Sequence, residues 1–407
     1  MASTAEGATG GDAHVSLTET REIGELLRLP AEEQVARGYG HTLREILQQP
    51  AVWPDAAARV VRRADDLTKC LAGVEAIALT GSGSSQFASQ CIAGPLQRRL
   101  GIPVTAVAAG TILTDPDICL PPSDASLLVS VARSGNSPES RAAVDWLLKA
   151  RPGVRHLFVT CNKDGALATS YAGVQGAWSV VLPDETNDES LVMTSSFTSL
   201  VLAGLGLGVL DALDAYETRA RALSQVANDV LRRRSDDLAA VARSGYDSAL
   251  YLGSGGRLGA AREAALKMLE MNSGKVSTMA ESFLGLRHGP MSAVHGDTLV
   301  VAFLSSEPVA RAYELDLLHE LRRKGIGGRL VVVGAGIPPE LEIESGDVVV
   351  ETGTDPTLGD EDLSLVDVLV SQLLAFFRCL DSGFRPDSPS DDGIITRVVT
   401  SFEIHDR

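Results

Sequence analysis

Short apolar runs alternate with amphipathic stretches along most of this 407-residue chain. AIALT (76–80) reads as a buried strand, followed by GSGSSQFA and a helix through Leu100. PVTAVAA (103–109) and SLLVSVA (126–132) predict two more strands, the latter leading through RSGNSPES into a helix through Leu148. HLFVT (156–160) and WSVVLP (178–183) complete this series, and a long helical region begins near Thr194 and extends past Leu213. Strands at this spacing, with helices between them, predict a parallel sheet. The pattern then starts again. SALYL (248–252) precedes GSGGRLGA and a helix over 260–272, and LVVAFL (299–304) precedes SSEP and a helix over 308–323. RLVVVG (329–334), DVVVE (347–351) and a helix over 363–380 follow.

The two series match in spacing. Gly83 and Gly255 are 172 positions apart, and Gly81 to Ser134 spans the same 53 positions as Gly253 to Ser306. One α/β unit used twice is the architecture this predicts, with the first copy over 55–225 and the second over 226–383. Residues 1–17 are small and polar and are expected to be disordered. A helical segment over 18–54 should hold two short helices. Thr18 or Thr20 would cap the first, through Ile23, Leu26 and Leu27, and the second would cover 39–50 and stop at Pro50. Residues 384–407 read as an extended tail.

Composition narrows the function classes. Aromatics make up 4% of the chain against 44% hydrophobic residues, a balance that suits helices on a parallel sheet better than an all-β fold. The net charge of −17 argues against nucleic acid and anionic membrane surfaces as partners. No apolar run is read as long enough to span a bilayer, the nearest being Leu200–Leu213, and the N-terminus shows no signal pattern. Cys70, Cys91, Cys119, Cys161 and Cys379 form no C-x-x-C pair, which excludes a zinc ribbon and points to reduced thiols in the cytoplasm.

Candidate chemistry gathers in two places. TGSGSSQ (80–86) and ARSGNSPES (132–140) each join a strand to a helix, where unpaired N–H groups and the helix dipole meet small hydroxyls. An anionic phosphate fits such a turn, but serine and asparagine also cap helices, so either loop alone leaves both readings open. Gln86 replaces the third glycine of a dinucleotide fingerprint, and no Gly-Lys-Ser/Thr follows for a P-loop. The second place is residues 262–290. Glu263, Lys267 and Glu270, spaced i, i+4, i+7, share one helix face. A solvated ion-pair stripe has the same spacing, but the flanking apolar Ala264, Ala265, Leu266, Met268 and Leu269 favour burial and with it acid–base work. His288 lies in a loop, Arg287-His288-Gly289-Pro290, with no metal-ligand spacing to another residue.

These motifs together resemble the double-domain sugar isomerase (SIS) family, and within it the galactosamine-6-phosphate deaminase (AgaS) family. The matching stretches are REILQQPAVW (44–53), SVARSGNSPES (130–140), ETNDESLVMTSSFT (185–198), AESFLGLRHGP (280–290) and TRVV (396–399). The resemblance implies two tandem SIS domains, each a three-layer sandwich with a flavodoxin-like parallel sheet flanked by helices. It implies that Ser84, Ser85, Arg133, Ser134 and Ser137 bind the substrate and its phosphate, with Thr194 and Ser195 lining the same cleft. Glu270 would be the base moving a proton between carbons 1 and 2. His288 would open the sugar ring, from the neighbouring subunit, and Glu263 and Lys267 would position these groups. Arg397 stands where the related glucosamine-6-phosphate synthase carries a Schiff-base lysine. Arginine is a poor imine-forming nucleophile, so covalent capture of a ketose is not expected.

The implied reaction converts galactosamine 6-phosphate to tagatose 6-phosphate and ammonia, with no metal or organic cofactor, in a cytoplasmic homodimer or larger homo-oligomer. A plain aldose–ketose isomerase would use the same residues. A non-catalytic sugar-phosphate sensor is the alternative from another class.

Overall fold

In the computed structural model, which describes residues 17–390, 393–399 and 402–405, ten strands form two five-stranded parallel sheets. The first holds β1 (Ala76–Gly81), β2 (Val104–Ala108), β3 (Ser126–Ala132), β4 (Arg155–Thr160) and β5 (Ala177–Val181), in the order β2-β1-β3-β4-β5. The second holds β6 (Ser248–Leu252), β7 (Ser277–Glu281), β8 (Leu299–Leu304), β9 (Arg329–Gly334) and β10 (Val348–Glu351), in the order β7-β6-β8-β9-β10. Counted within each half, both orders are 2-1-3-4-5, the flavodoxin-like winding, so the repeat in spacing is a repeat in fold.

The strand β7 is the one the apolar pattern misses. Its sequence STMAE is half-exposed along its length, because it is an edge strand and carries no buried run.

The helices used below are numbered in chain order. They are α1 (Arg21–Leu27), α2 (Gly40–Leu47), α3 (Gln49–Arg62), α4 (Ser84–Leu100), α5 (Pro138–Ala150), α6 (Ser195–Gly206), α7 (Leu213–Ala242), α8 (Arg257–Met271), α9 (Pro308–Lys324) and α10 (Asp360–Asp381). Alternation along the strands sorts their side chains between layers. Leu127 and Val129 of β3, with Val301 and Phe303 of β8, join one large core that runs through α3, α4, α6, α7, α8 and α10. Leu128 faces the opposite way, into a separate core under α5, and Val300, Ala302 and Leu304 face a third core under α9. Each sheet is thus the middle of a three-layer sandwich, and the two sandwiches share their central helices.

The first helices of the two units, α4 and α8, pack against each other in that layer. A Cβ on Gly259 would sit 2.8 Å from the Cys91 backbone nitrogen and 2.9 Å from the Phe87 carbonyl oxygen, so only glycine permits this approach.

Several elements differ from the pattern-based expectation. The helix expected to end at Pro50 stops at Leu47, and Pro50 instead sits in the first turn of α3, where a missing N–H costs nothing. Pro54 lies inside α3 and cannot donate to the Pro50 carbonyl; Ser224 Oγ of α7 takes that role at 2.5 Å. The helical region after Thr194 breaks between α6 and α7, and the boundary expected between residues 225 and 226 falls within α7, which packs on both α3 and α10.

By length and apolar composition α10 could cross a membrane, so the expectation that no run is that apolar fails for it. The described helix is buried between α7 and α8, and burial accounts for its composition. Leu17 opens a short 3-10 turn, and the disorder expected for residues 1–16 lies outside the described residues.

Candidate active site

The strand-to-helix turns form first. Gly83, at φ +56°, turns the chain from β1 into α4, and Gly255 repeats that angle between β6 and α8. Ser84 and Ser85 open α4, and Ser137 precedes Pro138 at the start of α5. Neither helix has a side-chain cap hydrogen bond. The side chains at these two helix starts are therefore not spent as caps. Ser134 Oγ accepts from the Asn136 N–H at 3.2 Å, tightening its own turn.

An open cavity of about 530 Å³ lies where these turns face α8. Ser84, Ser85, Arg133, Ser134, Ser137, Lys267, Glu270 and Arg397 all line it. One wall is the tail segment 394–399. Lys267 is fully buried and bridges the two units. Its ammonium donates to Glu270 Oε2 at 2.5 Å and to Ser84 Oγ at 3.1 Å, and lies 3.3 Å from Glu263 Oε1.

Burial works against that charge, but the two carboxylates outweigh it and hold the lysine above its ordinary pKa. Glu263 is completely buried behind Lys267; burial pushes its carboxyl up to about 7 despite the lysine's opposing pull. Glu270 keeps 23% of its side chain exposed and reaches the cavity. The arrangement places a carboxylate with a fixed ammonium beside it across from a set of hydroxyls and helix N-termini. It can hold an anion at one end and move a proton at the other.

Four expected residues have other places. Glu263 supports Lys267 from behind and does not line the cavity. Thr194 and Ser195 are also absent from the lining: both are fully buried, because the Asp188 carboxylate draws them in as the cap of α6. Asp188 accepts from the Thr194 N–H at 2.8 Å, the Ser196 N–H at 2.9 Å and Ser195 Oγ at 2.5 Å. His288 is exposed in the turn after the short helix Phe283–Leu286 and is not part of this chain's own cavity.

Arg133 lines the cavity, but its guanidinium is committed to main chain. Its two terminal nitrogens donate to the carbonyls of Ser190, Leu191, Val192 and Arg397. Arg397 in turn donates to Asn187 Oδ1 and to the Asp188 carbonyl.

Sequence reasoning missed Glu139, in the first turn of α5. It lines the cavity with its Oε2 buried and unbonded. It sits inside the quoted ARSGNSPES loop, but nothing in its spacing separates a cavity carboxylate from a favourable charge at a helix N-terminus.

The matching loop of the second unit is filled from within. Asp360 accepts from Ser305 Oγ at 2.5 Å and from both the N–H and the hydroxyl of Ser306 at 2.8 Å, and Arg257 Nη1 lies 3.5 Å away. In the second unit a carboxylate of the protein itself thus fills the turn that stays open in the first.

Two doubly wound units with an acid–base helix of one facing the serine turns of the other define a double-domain protein of the sugar isomerase type. No family model matches the chain. It is 37% identical over 374 residues to a Streptomyces coelicolor protein provisionally named D-galactosamine-6-phosphate deaminase AgaS, covering 90% of this chain and 95% of that one. It is 35% identical over 376 residues to the Escherichia coli D-galactosamine-6-phosphate deaminase AgaS, covering 89% and 95%. The crystal structure of tagatose-6-phosphate ketose/aldose isomerase from Escherichia coli matches with a TM-score of 0.81 at 32% identity, over 90% of this chain and 97% of that one. The chain belongs to the AgaS family.

Proposed function

We propose that this chain is an amino-sugar-6-phosphate deaminase that converts galactosamine 6-phosphate to tagatose 6-phosphate and ammonia. The observation that carries the reading is the Lys267 ammonium, held between Glu270 and Ser84, which joins a carboxylate base to the phosphate turns in one cavity. The two relatives at 35–37% identity described above, each aligned over about nine-tenths of the chain, bear the deaminase name.

The phosphate sits against Ser84, Ser85, Ser134 and Ser137 and the N-termini of α4 and α5. His288 of a second subunit moves the proton of the anomeric hydroxyl to the ring oxygen and opens the sugar. A partner's histidine is invoked because His288 is exposed on its own chain and absent from its own cavity lining. Glu270 then takes the carbon-2 proton, giving an enolamine, and returns it to carbon 1. The imine left at carbon 2 is attacked by water, its carbon–nitrogen bond breaks, and ketose and ammonium leave. Lys267 compensates charge on Glu270 through this cycle, and Glu263 holds Lys267.

Arg397 does not form an imine; its guanidinium is bound to Asn187 and Asp188. The name of the Escherichia coli isomerase structure keeps a plain aldose–ketose isomerase as the second reading. Ammonium release measured alongside sugar conversion separates the two. Stoichiometric ammonium from galactosamine 6-phosphate is expected, and conversion without free ammonium would sink the deaminase reading.

A further inference from the structure

The motif REILQQPAVW (44–53) takes no part in the chemistry proposed above, yet it is bonded to the loop whose carbonyls receive both cavity arginines. Glu45 of α2 is 2% exposed. Its Oε1 accepts from the backbone N–H groups of Glu189 at 2.6 Å and Ser190 at 3.1 Å. Its Oε2 accepts from the hydroxyls of Ser190 and Thr194. One turn on, Gln48 donates to the Glu185 carbonyl at 2.7 Å and to Ser195 Oγ at 3.0 Å.

These bonds occupy one side of the loop between the 3-10 turn at 184–186 and α6. The carbonyls of its other side are the acceptors for the arginines. Those of Ser190, Leu191 and Val192 receive Arg133 Nη1 at 3.3, 3.1 and 3.1 Å, and that of Asp188 receives Arg397 Nε at 2.8 Å. Arg133 Nη2 also donates to the Arg397 carbonyl at 2.5 Å, which ties the tail to the same wall. Residues 187–194 have no ladder or helix of their own to set those carbonyls. Glu45 holds the Glu189 N–H, and peptide planarity thereby sets the Asp188 carbonyl that receives Arg397. Its bonds to the N–H and hydroxyl of Ser190 anchor the start of the 190–192 segment whose carbonyls receive Arg133, and the Leu191 N–H is held by the Asp387 carbonyl.

We infer that Glu45 is a positioning residue for the sugar-phosphate cavity: by holding the 187–194 loop from outside both sheets, it sets Arg133, Arg397 and the tail that form one cavity wall. This rests on the cavity being the sugar-phosphate site. Glu45 itself touches no cavity surface, so its effect passes through the loop. The base side of the cavity is independent of it, because Lys267 and Glu270 are carried on α8, which packs on α4 and α10. Burial and the charge of Asp188 push the Glu45 carboxyl up to about 8, so glutamine matches it in shape and in charge near neutrality.

The test compares Glu45→Ala, Glu45→Gln and Glu45→Asp in the full-length protein. Steady-state kinetics with galactosamine 6-phosphate is paired with calorimetric titration of that sugar phosphate and of inorganic phosphate. Loss of the loop's acceptor in Glu45→Ala is expected to raise KM and both Kd values about tenfold, with kcat changed less than about twofold. Glu45→Gln is expected to return them near wild type, since its amide oxygen still accepts from both N–H groups. Should the alanine variant not fold, Glu45→Asp keeps the carboxyl group while withdrawing its oxygens from the loop, and an intermediate rise in Kd is expected.

A folded alanine or aspartate variant with wild-type Kd values would overturn the inference, as would equal losses in the glutamine and alanine variants. The functional reading fails separately. A wild-type protein that binds inorganic phosphate but neither binds nor turns over galactosamine 6-phosphate refutes that reading, while the phosphate Kd series still decides the role of Glu45.

Discussion

The Lys267 ammonium and the Ser84 hydroxyl, 183 positions apart in the chain, are hydrogen bonded at 3.1 Å. Ser84 opens the first helix of the first unit and Lys267 lies on the first helix of the second. Equivalent helices of a duplicated unit therefore meet with different chemistry on each: small hydroxyls on one, a carboxylate with its counter-ion on the other. The cavity lies where these unlike helices meet.

Replacing Glu270, the proposed base, by glutamine removes its charge and leaves its shape. Turnover is expected to fall roughly 10²- to 10⁴-fold with the melting temperature little changed. Lys267→Met should behave differently, since it leaves Glu263 buried without its partner. A loss of about 3–5 kcal/mol in urea unfolding is expected together with loss of turnover. A stable, active methionine variant would remove Lys267 from the account.

Gly259→Ala tests whether the helix contact places the site. The new Cβ would meet backbone atoms at 2.8–2.9 Å, which cannot turn aside. The expected cost is about 1–3 kcal/mol in stability. The helices must separate, so kcat should fall as Lys267 moves from Ser84. Unchanged kcat in a folded variant would show that the contact is not needed for catalysis.

Ser134 and Ser306 hold matching positions in the two copies. Ser134→Ala is expected to raise KM roughly 10-fold or more, the loss of one hydrogen bond to a charged phosphate. Ser306→Ala should leave KM unchanged and lower the melting temperature, because its hydroxyl serves Asp360. Similar KM effects from both would mean that the second loop also binds ligand.

His156, in β4, is buried with neither ring nitrogen bonded, and burial pulls its pKa down to about 4. Below its unfolded value of about 6.5 the unfolded chain takes up a proton that the folded chain refuses. Its contribution to stability is thus present above pH 6.5 and is lost as pH falls towards 4, about 3 kcal/mol in all. Denaturant titrations of wild type and His156→Phe across this window should diverge in slope, with the variant flatter; parallel curves would refute the assignment.

Much of this was legible in the residues. Eight strands were read within a residue or two at either end, and a ninth, β2, within a single residue, because each carries a short apolar run in the sequence. The equal spacing of Gly83 and Gly255 announced the duplication, and the acid–base helix followed from i, i+4, i+7 spacing. The strand β7 was not legible because an edge strand need not be apolar. Thr194 and Ser195 were misplaced because a serine-rich helix start reads the same whether it faces a ligand or an internal carboxylate. Asp188 plays that internal role in the first unit from a few positions away, whereas Asp360 plays it in the second from more than 50 positions beyond the serines it binds.

The sequence by itself determined the two α/β units, the turns that suit a phosphate, and the family to which the chain belongs. Local spacing is enough for these, since strand and helix periods and turn glycines act over a few residues. Only the tertiary structure decided that Lys267 reaches Ser84, that Arg133 is spent on main-chain carbonyls, and that Glu45 holds the loop beside them. Those facts depend on how closely helices pack and on which buried polar groups find one another. Such pairings are set by burial over long separations, where an unpaired group is costly.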